Sequence, residues 1–165
     1  TGRIISEAVE GKTVACKGPY GEFVVRRGAT GRVALIAGGT GVTPFASFMD
    51  CALASRALDA AECRLYYGAR TPDLLVYREL ADRCAALLPG FRVAYCVEES
   101  GGPAGSPDNL RIGRLSVATI AEELAPAADW TFYLSGPKAM IASFRQELTA
   151  HHAVPPPQVV IDAWE

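Results

Sequence analysis

The chain alternates between short apolar runs and longer segments in which apolar residues recur at helical spacing. The runs predict strands at 33–37, 64–68, 91–97, 130–134 and 159–161. The helical spacing predicts helices at 44–56, 74–88, 117–124 and 137–151. Strands that alternate with helices favour a parallel sheet covered on both faces. The sequence therefore predicts an α/β fold built on a doubly wound, five-stranded parallel sheet.

The first thirty residues show a different rhythm. They contain brief β-like pieces at 4–5, 13–16 and 23–25, separated by Gly11, by Gly18-Pro19 and by Gly21. This change predicts two units, a β fragment over 1–30 and the α/β domain over 31–165. Within the second unit, residues 98–110 are rich in Gly, Pro, Ser and Asp and are predicted to form a loop.

Composition narrows the class of function. Half of the 165 residues are hydrophobic, 21% are charged and the formal net charge is −2, which fits a globular domain with a sizeable core. No basic stretch favours nucleic acid, and no apolar run reaches the roughly 18–20 residues that a membrane span needs. The five cysteines contain no CxxC pair, so neither a zinc nor an iron–sulfur site is predicted. They are interpreted as reduced, packed thiols of a cytoplasmic protein.

The stretch AGGTGVTP, residues 37–44, lies between the first buried strand and the first helix. Glycines before a helix let the backbone approach an anion, and the helix N-terminus offers unpaired N–H groups and a positive dipole end. Thr40 and Thr43 add hydroxyls, and Thr43 is also a candidate helix cap. The pattern is neither a Walker A loop nor GxGxxG, because Pro44 stands where the third glycine belongs. The alternatives are a phosphate-binding turn and a tight turn without a ligand.

Five short motifs occur in a fixed order along the chain. They are Gly18-Pro19-Tyr20-Gly21-Glu22-Phe23, Gly38-Gly39-Thr40-Gly41-Val42-Thr43-Pro44, Tyr66-Tyr67-Gly68-Ala69-Arg70, Ser135-Gly136-Pro137-Lys138-Ala139-Met140 and Asp162-Ala163-Trp164-Glu165. Together they resemble the ferredoxin–NADP⁺ reductase superfamily, in particular its bacterial NAD(P)H-dependent flavin reductases. The resemblance implies that a β-barrel binds FAD, that an α/β domain binds NADH or NADPH, and that hydride passes to the flavin and then to an iron–sulfur or haem acceptor.

The resemblance also implies roles for particular residues. The pyrophosphate would be held by Gly39, Thr40, Gly41 and Thr43, and the other cofactor-binding residues would include Gly38, Gly68 and Arg70. The nicotinamide pocket would be lined by Ser135, Gly136 and Pro137, with Met140 towards the adenine. Many family members have cysteine where Ser135 stands. Ser135 and Glu165 are candidates for the hydride-transfer site, and Trp164 is a candidate flavin contact. The Arg-x-Tyr-Ser/Thr motif that holds FAD in the family is absent from this sequence, so residues 1–30 are expected to be a remnant of the flavin domain.

Simpler interpretations stand beside these roles. Residues 135–137 also fit a helix N-cap followed by proline, and Trp164 also fits a residue that covers the core.

The choice between NADH and NADPH depends on other residues. Glu98 and Glu99 follow the third strand and favour NADH, because carboxylates repel a 2′-phosphate and accept from a ribose hydroxyl. Arg70 and Arg111 are candidates for the opposite preference.

Three functions remain in competition. The first is the NADH-binding part of an FAD-dependent oxidoreductase. The second is a nucleotide-binding or electron-transfer module that docks on a separate flavoprotein chain and has no turnover of its own. The third is a phosphate-binding α/β enzyme of another kind, for which the sequence offers no paired acid and base and no nucleophile with a histidine.

Overall fold

The computed structural model describes residues 9–13, 15, 17–18, 21–26, 31–58, 60–99 and 109–162. The strands in these ranges are β1 (Arg32–Gly38), β2 (Glu62–Ala69), β3 (Phe91–Val97), β4 (Leu110–Ile112), β5 (Trp130–Ser135) and β6 (Val159–Ile161). The helices are α1 (Thr43–Ser55), α2 (Arg78–Leu87), α3 (Val117–Glu123) and α4 (Lys138–His151). Short 3-10 turns lie at Gly39–Val42, Pro72–Leu74, Ala127–Asp129 and Pro156–Gln158.

All strand pairs of the sheet are parallel, and the spatial order is β4-β3-β2-β1-β5-β6. Helices α1 and α2 pack on one face, and α3 and α4 pack on the other. The prediction of a doubly wound α/β fold is therefore confirmed. The strand order reverses between β1 and β5, which is where ligands bind on open sheets of this kind.

Among the described residues the sheet has six strands, so the predicted number of five is wrong. The additional strand, β4, lies at the end of the segment predicted as a loop and pairs with β3 from Tyr95 to Val97. It has only three residues, and its last residue, Ile112, is largely exposed. A strand this short at the edge of a sheet has no apolar run that sequence periodicity detects.

The core divides into two layers along β1. Val33, Leu35 and Ala37 pack towards α1 and α2, whereas Ala34 and Ile36 pack towards α3 and α4. Successive side chains of a strand point to opposite faces, so a strand that is covered on both faces is apolar throughout. This explains why β1 is a continuous apolar run and why its position was predictable.

One predicted helix begins later than expected. Helical spacing from Leu74 predicted a helix over 74–88, but α2 begins at Arg78. Pro72 instead opens a 3-10 turn that ends at Leu74. The backbone N–H of Arg78 donates to the carbonyl of Leu75, which joins this turn to the helix.

The opening segment is described only in part. Residues 21–26 form no strand, so the β piece predicted at 23–25 is absent there. Phe23 instead packs its ring 5.8 Å from the rings of Phe45 and Tyr133, centroid to centroid. The predicted piece at 4–5 lies outside the described residues, and that at 13–16 lies partly outside them. A flavin-barrel remnant over 1–30 and the division at residue 31 stay predictions.

The prediction that the cysteines are packed thiols holds for some of them only. Cys63 and Cys84 are fully buried, and burial raises the pKa of Cys63 well above its usual range and that of Cys84 to about 11. Cys96 is half-buried, and Cys51 is exposed on α1, where the packing interpretation is wrong. Cys16 lies outside the described residues. Across the described ranges, no helix is long and apolar enough to cross a bilayer.

Candidate functional site

The two predicted ligand-binding turns meet at the switch point of the sheet. Ala37, near the end of β1, is in direct register with Ser135, the last residue of β5. The glycine turn follows β1, and the Ser135-Gly136-Pro137 turn follows β5. The parallel strands thus bring two segments about a hundred residues apart to the same carboxyl-terminal edge.

The glycine turn changes direction in a single 3-10 turn, Gly39–Val42, between β1 and α1. Gly39 has φ +56°, in the left-handed region that glycine adopts without steric cost. Val42 is fully buried and anchors the turn in the core beside Phe45. Thr40 and Thr43 are exposed on the outer side of the turn.

The predicted helix cap is wrong. Thr43 is the first residue of α1, and its hydroxyl donates to the carbonyl of Thr40 over 2.7 Å instead of accepting from a helix N–H. The N-cap position is Val42, which has no side-chain oxygen and makes no capping hydrogen bond. The N-terminus of this 13-residue helix therefore has no side-chain cap, and its dipole favours an anion at that end.

The absence of a side chain at Gly41 is required by packing. A Cβ atom there would lie 2.4 Å from the carbonyl oxygen of Ser135 and 2.5 Å from the backbone nitrogen of Gly136. The two turns are thus in direct backbone contact. Gly38 is similarly covered by Met140, whose Sδ would lie 2.7 Å from an added Cβ. Glycine at these positions lets the two sides of the switch point close on each other.

A groove of about 510 Å³ runs from this contact across the carboxyl ends of β1, β2 and β3. This volume is within the range of small-molecule sites. The predicted residues that line it are Gly38, Gly39, Gly68, Arg70, Glu98, Pro137 and Met140. Others that line it were not predicted: Ala69, Cys96, Arg114, Leu115, Ala139, Ser143 and Phe144. Thr40, Gly41 and Thr43 lie on the adjoining turn but not among the lining residues.

Gly68 has a neighbour that the sequence did not reveal. Leu115 packs over it, so that a Cβ on Gly68 would lie 2.6 Å from Leu115 Cδ1. Leu115 follows β4 and precedes α3, and it contributes an apolar wall to the groove. Met140 also lines the groove, so apolar side chains contribute to its surface.

Ser135 is buried, with only 1% of its surface exposed, and its hydroxyl donates to Asp162 Oδ2 over 2.8 Å. The backbone N–H of Asp162 in turn donates to the carbonyl of Leu134, which fixes the carboxylate beside the end of β5. Ser135 does not cap α4, whose N-cap is Pro137, so the simple N-cap interpretation is wrong. Asp162 belongs to the fifth motif but was not predicted as a site residue. Trp164 and Glu165 were predicted as site residues, and both lie outside the described residues.

The charged residues of the groove are Arg70, Glu98 and Arg114. Arg114 Nε lies 2.9 Å from Glu98 Oε2, and its side chain is 82% exposed, so this ion pair is weak and readily rearranged. Arg111, a candidate for phosphate recognition, pairs with Glu123 and does not line the groove. Arg114, which was not predicted, lines the groove instead.

The sequence also matches a known family model. Residues 35–146, more than half of the chain, match the oxidoreductase NAD-binding domain. The chain belongs to this family. The resemblance to the ferredoxin–NADP⁺ reductase superfamily is thereby confirmed, and the domain is a nicotinamide-nucleotide-binding domain of redox enzymes.

Curated relatives support the same assignment of this NAD-binding domain. The chain is 30% identical to the ferredoxin–NAD(P)⁺ reductase component of the naphthalene 1,2-dioxygenase/salicylate 5-hydroxylase systems of Ralstonia sp.. The match covers 98% of this chain and 47% of that protein. The chain is also 30% identical to the reductase component of propane 2-monooxygenase from Mycolicibacterium smegmatis, over 93% of the chain and 43% of the relative. The chain thus spans about half the length of the curated relatives that it matches.

A solved structure shows the same fold. The cytochrome P450 reductase of Amycolatopsis superposes with a TM-score of 0.71 at 24% identity, over 92% of this chain and 45% of the other. At this identity the likeness concerns the fold, which supports the sheet order and the position of the switch point.

Proposed function

We propose that this NAD-binding domain is the NADH-binding part of an FAD-dependent oxidoreductase, which passes hydride from NADH to a flavin and electrons onward to a one-electron acceptor. The observation that carries the proposal is the joined site: an uncapped helix N-terminus, a left-handed glycine turn and an apolar groove meet at the switch point. The reductase components among its relatives support an iron–sulfur or haem acceptor. Nicotinamide and flavin supply the redox chemistry, and the protein binds and orients them.

The proposed nucleotide position follows from the local chemistry. The pyrophosphate is held at the N-terminus of α1, where backbone N–H groups and the exposed hydroxyl of Thr40 face the anion. The hydroxyl of Thr43 donates to the carbonyl of Thr40 and so supports the turn. The adenosine lies in the groove, where Leu115 and Met140 offer apolar side chains to the base. Arg70, at the exposed end of β2, gives a further positive charge beside the phosphates.

The nicotinamide end is proposed to lie against the Ser135–Asp162 pair. The two side chains stand at the carboxyl ends of neighbouring strands, next to the contact between Gly41 and Gly136. Asp162 accepts from Ser135 and thereby fixes the hydroxyl, while its carboxylate places negative charge beside the ring. A negative charge there favours the cationic, oxidised nicotinamide. Glu165 and Trp164 stay candidates for the flavin side of the same site.

A nucleotide titration of the chain tests the proposal. Calorimetry with NAD⁺, NADH, NADPH and ADP-ribose should show binding of all four, with NADH tighter than NADPH, after the absorbance in the flavin band has been recorded. Absence of binding by every nucleotide would reject the site. Binding without any flavin, combined with tight association with a separate flavoprotein, would favour the alternative of a non-catalytic docking module.

Replacement of Glu98 should change the preference between cofactors. In Glu98→Gln the carboxylate that repels a 2′-phosphate is gone and Arg114 loses its partner, so NADPH affinity should rise roughly tenfold while NADH affinity changes little. Glu99→Gln is the matched control, because Glu99 is also exposed but does not line the groove. Equal NADPH affinities in the two variants would show that Glu98 does not read the ribose.

A further inference from the structure

A second cavity, of about 300 Å³, lies on the sheet face that carries α3. Three arginines line it from three neighbouring strands, Arg64 on β2, Arg92 on β3 and Arg111 on β4. Tyr66 and Glu123 complete its polar lining. The cavity shares no lining residue with the nucleotide groove. Arg64 is four residues before Gly68 on β2, roughly 13 Å along the strand, whereas Arg111 at the other side of the cavity is paired with Cys96 of the groove.

The strand register places like charges side by side. Arg64 and Arg92 are direct partners in the pairing of β2 with β3. Neighbouring strands are about 4.8 Å apart, and like charges in directly opposite positions destabilise a sheet. Arg92 is exposed, so solvent screens part of this repulsion, and a bound anion would compensate the remainder.

The carboxylates near the cavity leave one arginine uncompensated. Arg64 pairs with Glu62, but Glu62 also lies 3.6 Å from Arg32 Nε and is therefore shared. Arg111 pairs with Glu123, which also accepts from the hydroxyl of Tyr66 over 3.2 Å.

Arg92 makes no ion pair with any of the residues that the structure describes. Burial and the carboxylate of Glu123 raise the pKa of Tyr66. Arg64 and Arg111 act in the opposite direction, because their positive charges lie near the Tyr66 hydroxyl. An excess positive charge thus faces a half-enclosed space.

We propose that this cavity binds a small organic phosphate at a site separate from the nucleotide groove. Guanidinium groups present paired N–H donors that match the oxygens of a phosphate, and Arg92 and Arg64 approach from adjacent strands. The cavity is at the lower end of the volumes of small-molecule sites, so it suits a phosphate monoester of a small molecule and not a dinucleotide. Ala94 and Leu124, which are apolar and lie on the same face of the sheet, accommodate the organic part.

A site-resolved titration tests this proposal on the whole chain. Backbone amide shifts are followed by NMR while inorganic phosphate, and separately ribose 5-phosphate, is added at constant ionic strength. We expect saturable shifts at Arg64, Arg92 and Arg111, with tighter binding of the monoester. Tighter binding of inorganic phosphate would reject the organic ligand. Shifts confined to residues 39–43, or shifts that do not saturate, would overturn the site altogether.

Substitution of Arg92 gives the second test. Arg92→Gln should weaken ribose 5-phosphate binding at least tenfold and leave NAD⁺ affinity unchanged, whereas Arg83→Gln, on the exposed side of α2, should change neither. Arg92→Lys should retain intermediate affinity, because lysine keeps the charge but loses the paired donors. Identical binding by all three variants would refute the proposal, and circular dichroism verifies that each is folded. If Arg92→Gln does not fold, the comparison of Arg92→Lys with the unmodified chain decides.

Discussion

Replacing Gly41 with alanine should abolish tight binding of the nucleotide and lower the stability of the domain. The added Cβ would lie 2.4 Å from the carbonyl oxygen of Ser135, and that neighbour is backbone, which cannot rotate away. The turn after β1 and the turn after β5 must then move apart. Overpacking of this kind costs about 1–3 kcal/mol in the free energy of unfolding. Because the pyrophosphate is proposed to lie on the displaced turn, we expect NAD⁺ affinity to fall roughly tenfold or more.

Thermal unfolding and calorimetry of the same protein check both parts. Gly31→Ala is the matched control, since a Cβ at Gly31 meets nothing within 4 Å and its backbone is not in the left-handed region. The control should keep the melting temperature and the NAD⁺ affinity of the unmodified chain. If Gly41→Ala bound NAD⁺ normally, the contact between the two turns would be irrelevant to the nucleotide site.

The sequence was most informative where one physical requirement governs each residue. The run at 33–37 is apolar throughout because β1 is covered on both faces, and the helices were found because each has one covered face. The glycine turn was found because left-handed backbone and close approach both select glycine, as at Gly39 and Gly41. These features depend on local geometry, so the residue types at these positions are enough to predict them.

The features that were missed depend on contacts between distant segments. Ser135 and Asp162 are 27 residues apart, and only the pairing of β5 with β6 makes them neighbours. The ion pair of Glu98 with Arg114 likewise needs the unpredicted strand β4, which carries the chain back to the edge of the groove.

One error had a local cause. Thr43 was predicted to cap α1 because threonine is common at that position, but the 3-10 turn shifts the helix start so that Thr43 is already inside it. Arg111 was a candidate for favouring NADPH, and in the structure it lies on β4 and pairs with Glu123. One residue of register decides which face of a sheet a side chain occupies, and periodicity does not determine it for a three-residue strand.

Replacing Asp162 with alanine should weaken binding of NAD⁺ about tenfold and leave binding of ADP-ribose unchanged. ADP-ribose lacks the nicotinamide, so a difference between the two ligands reports on the nicotinamide end alone. Two effects combine in the expected loss: the carboxylate beside the cationic ring is gone, and the hydroxyl of Ser135 loses the acceptor at 2.8 Å that orients it. The buried hydroxyl also loses a hydrogen bond, which should lower the free energy of unfolding by about 1–3 kcal/mol.

Calorimetric titrations of Asp162→Ala, Asp162→Asn and Ser135→Ala separate these effects. Asparagine keeps an acceptor for Ser135 but removes the charge, so it should lose NAD⁺ affinity with little loss of stability, and it should lose less affinity for NADH, whose ring is neutral. Ser135→Ala should affect NAD⁺ and NADH alike. The double variant Ser135→Ala/Asp162→Ala should lose less than the sum of the single losses, because the two side chains form one hydrogen-bonded unit. A loss of ADP-ribose affinity equal to that of NAD⁺ would instead show that Asp162 supports the fold of the turn and does not face the nicotinamide.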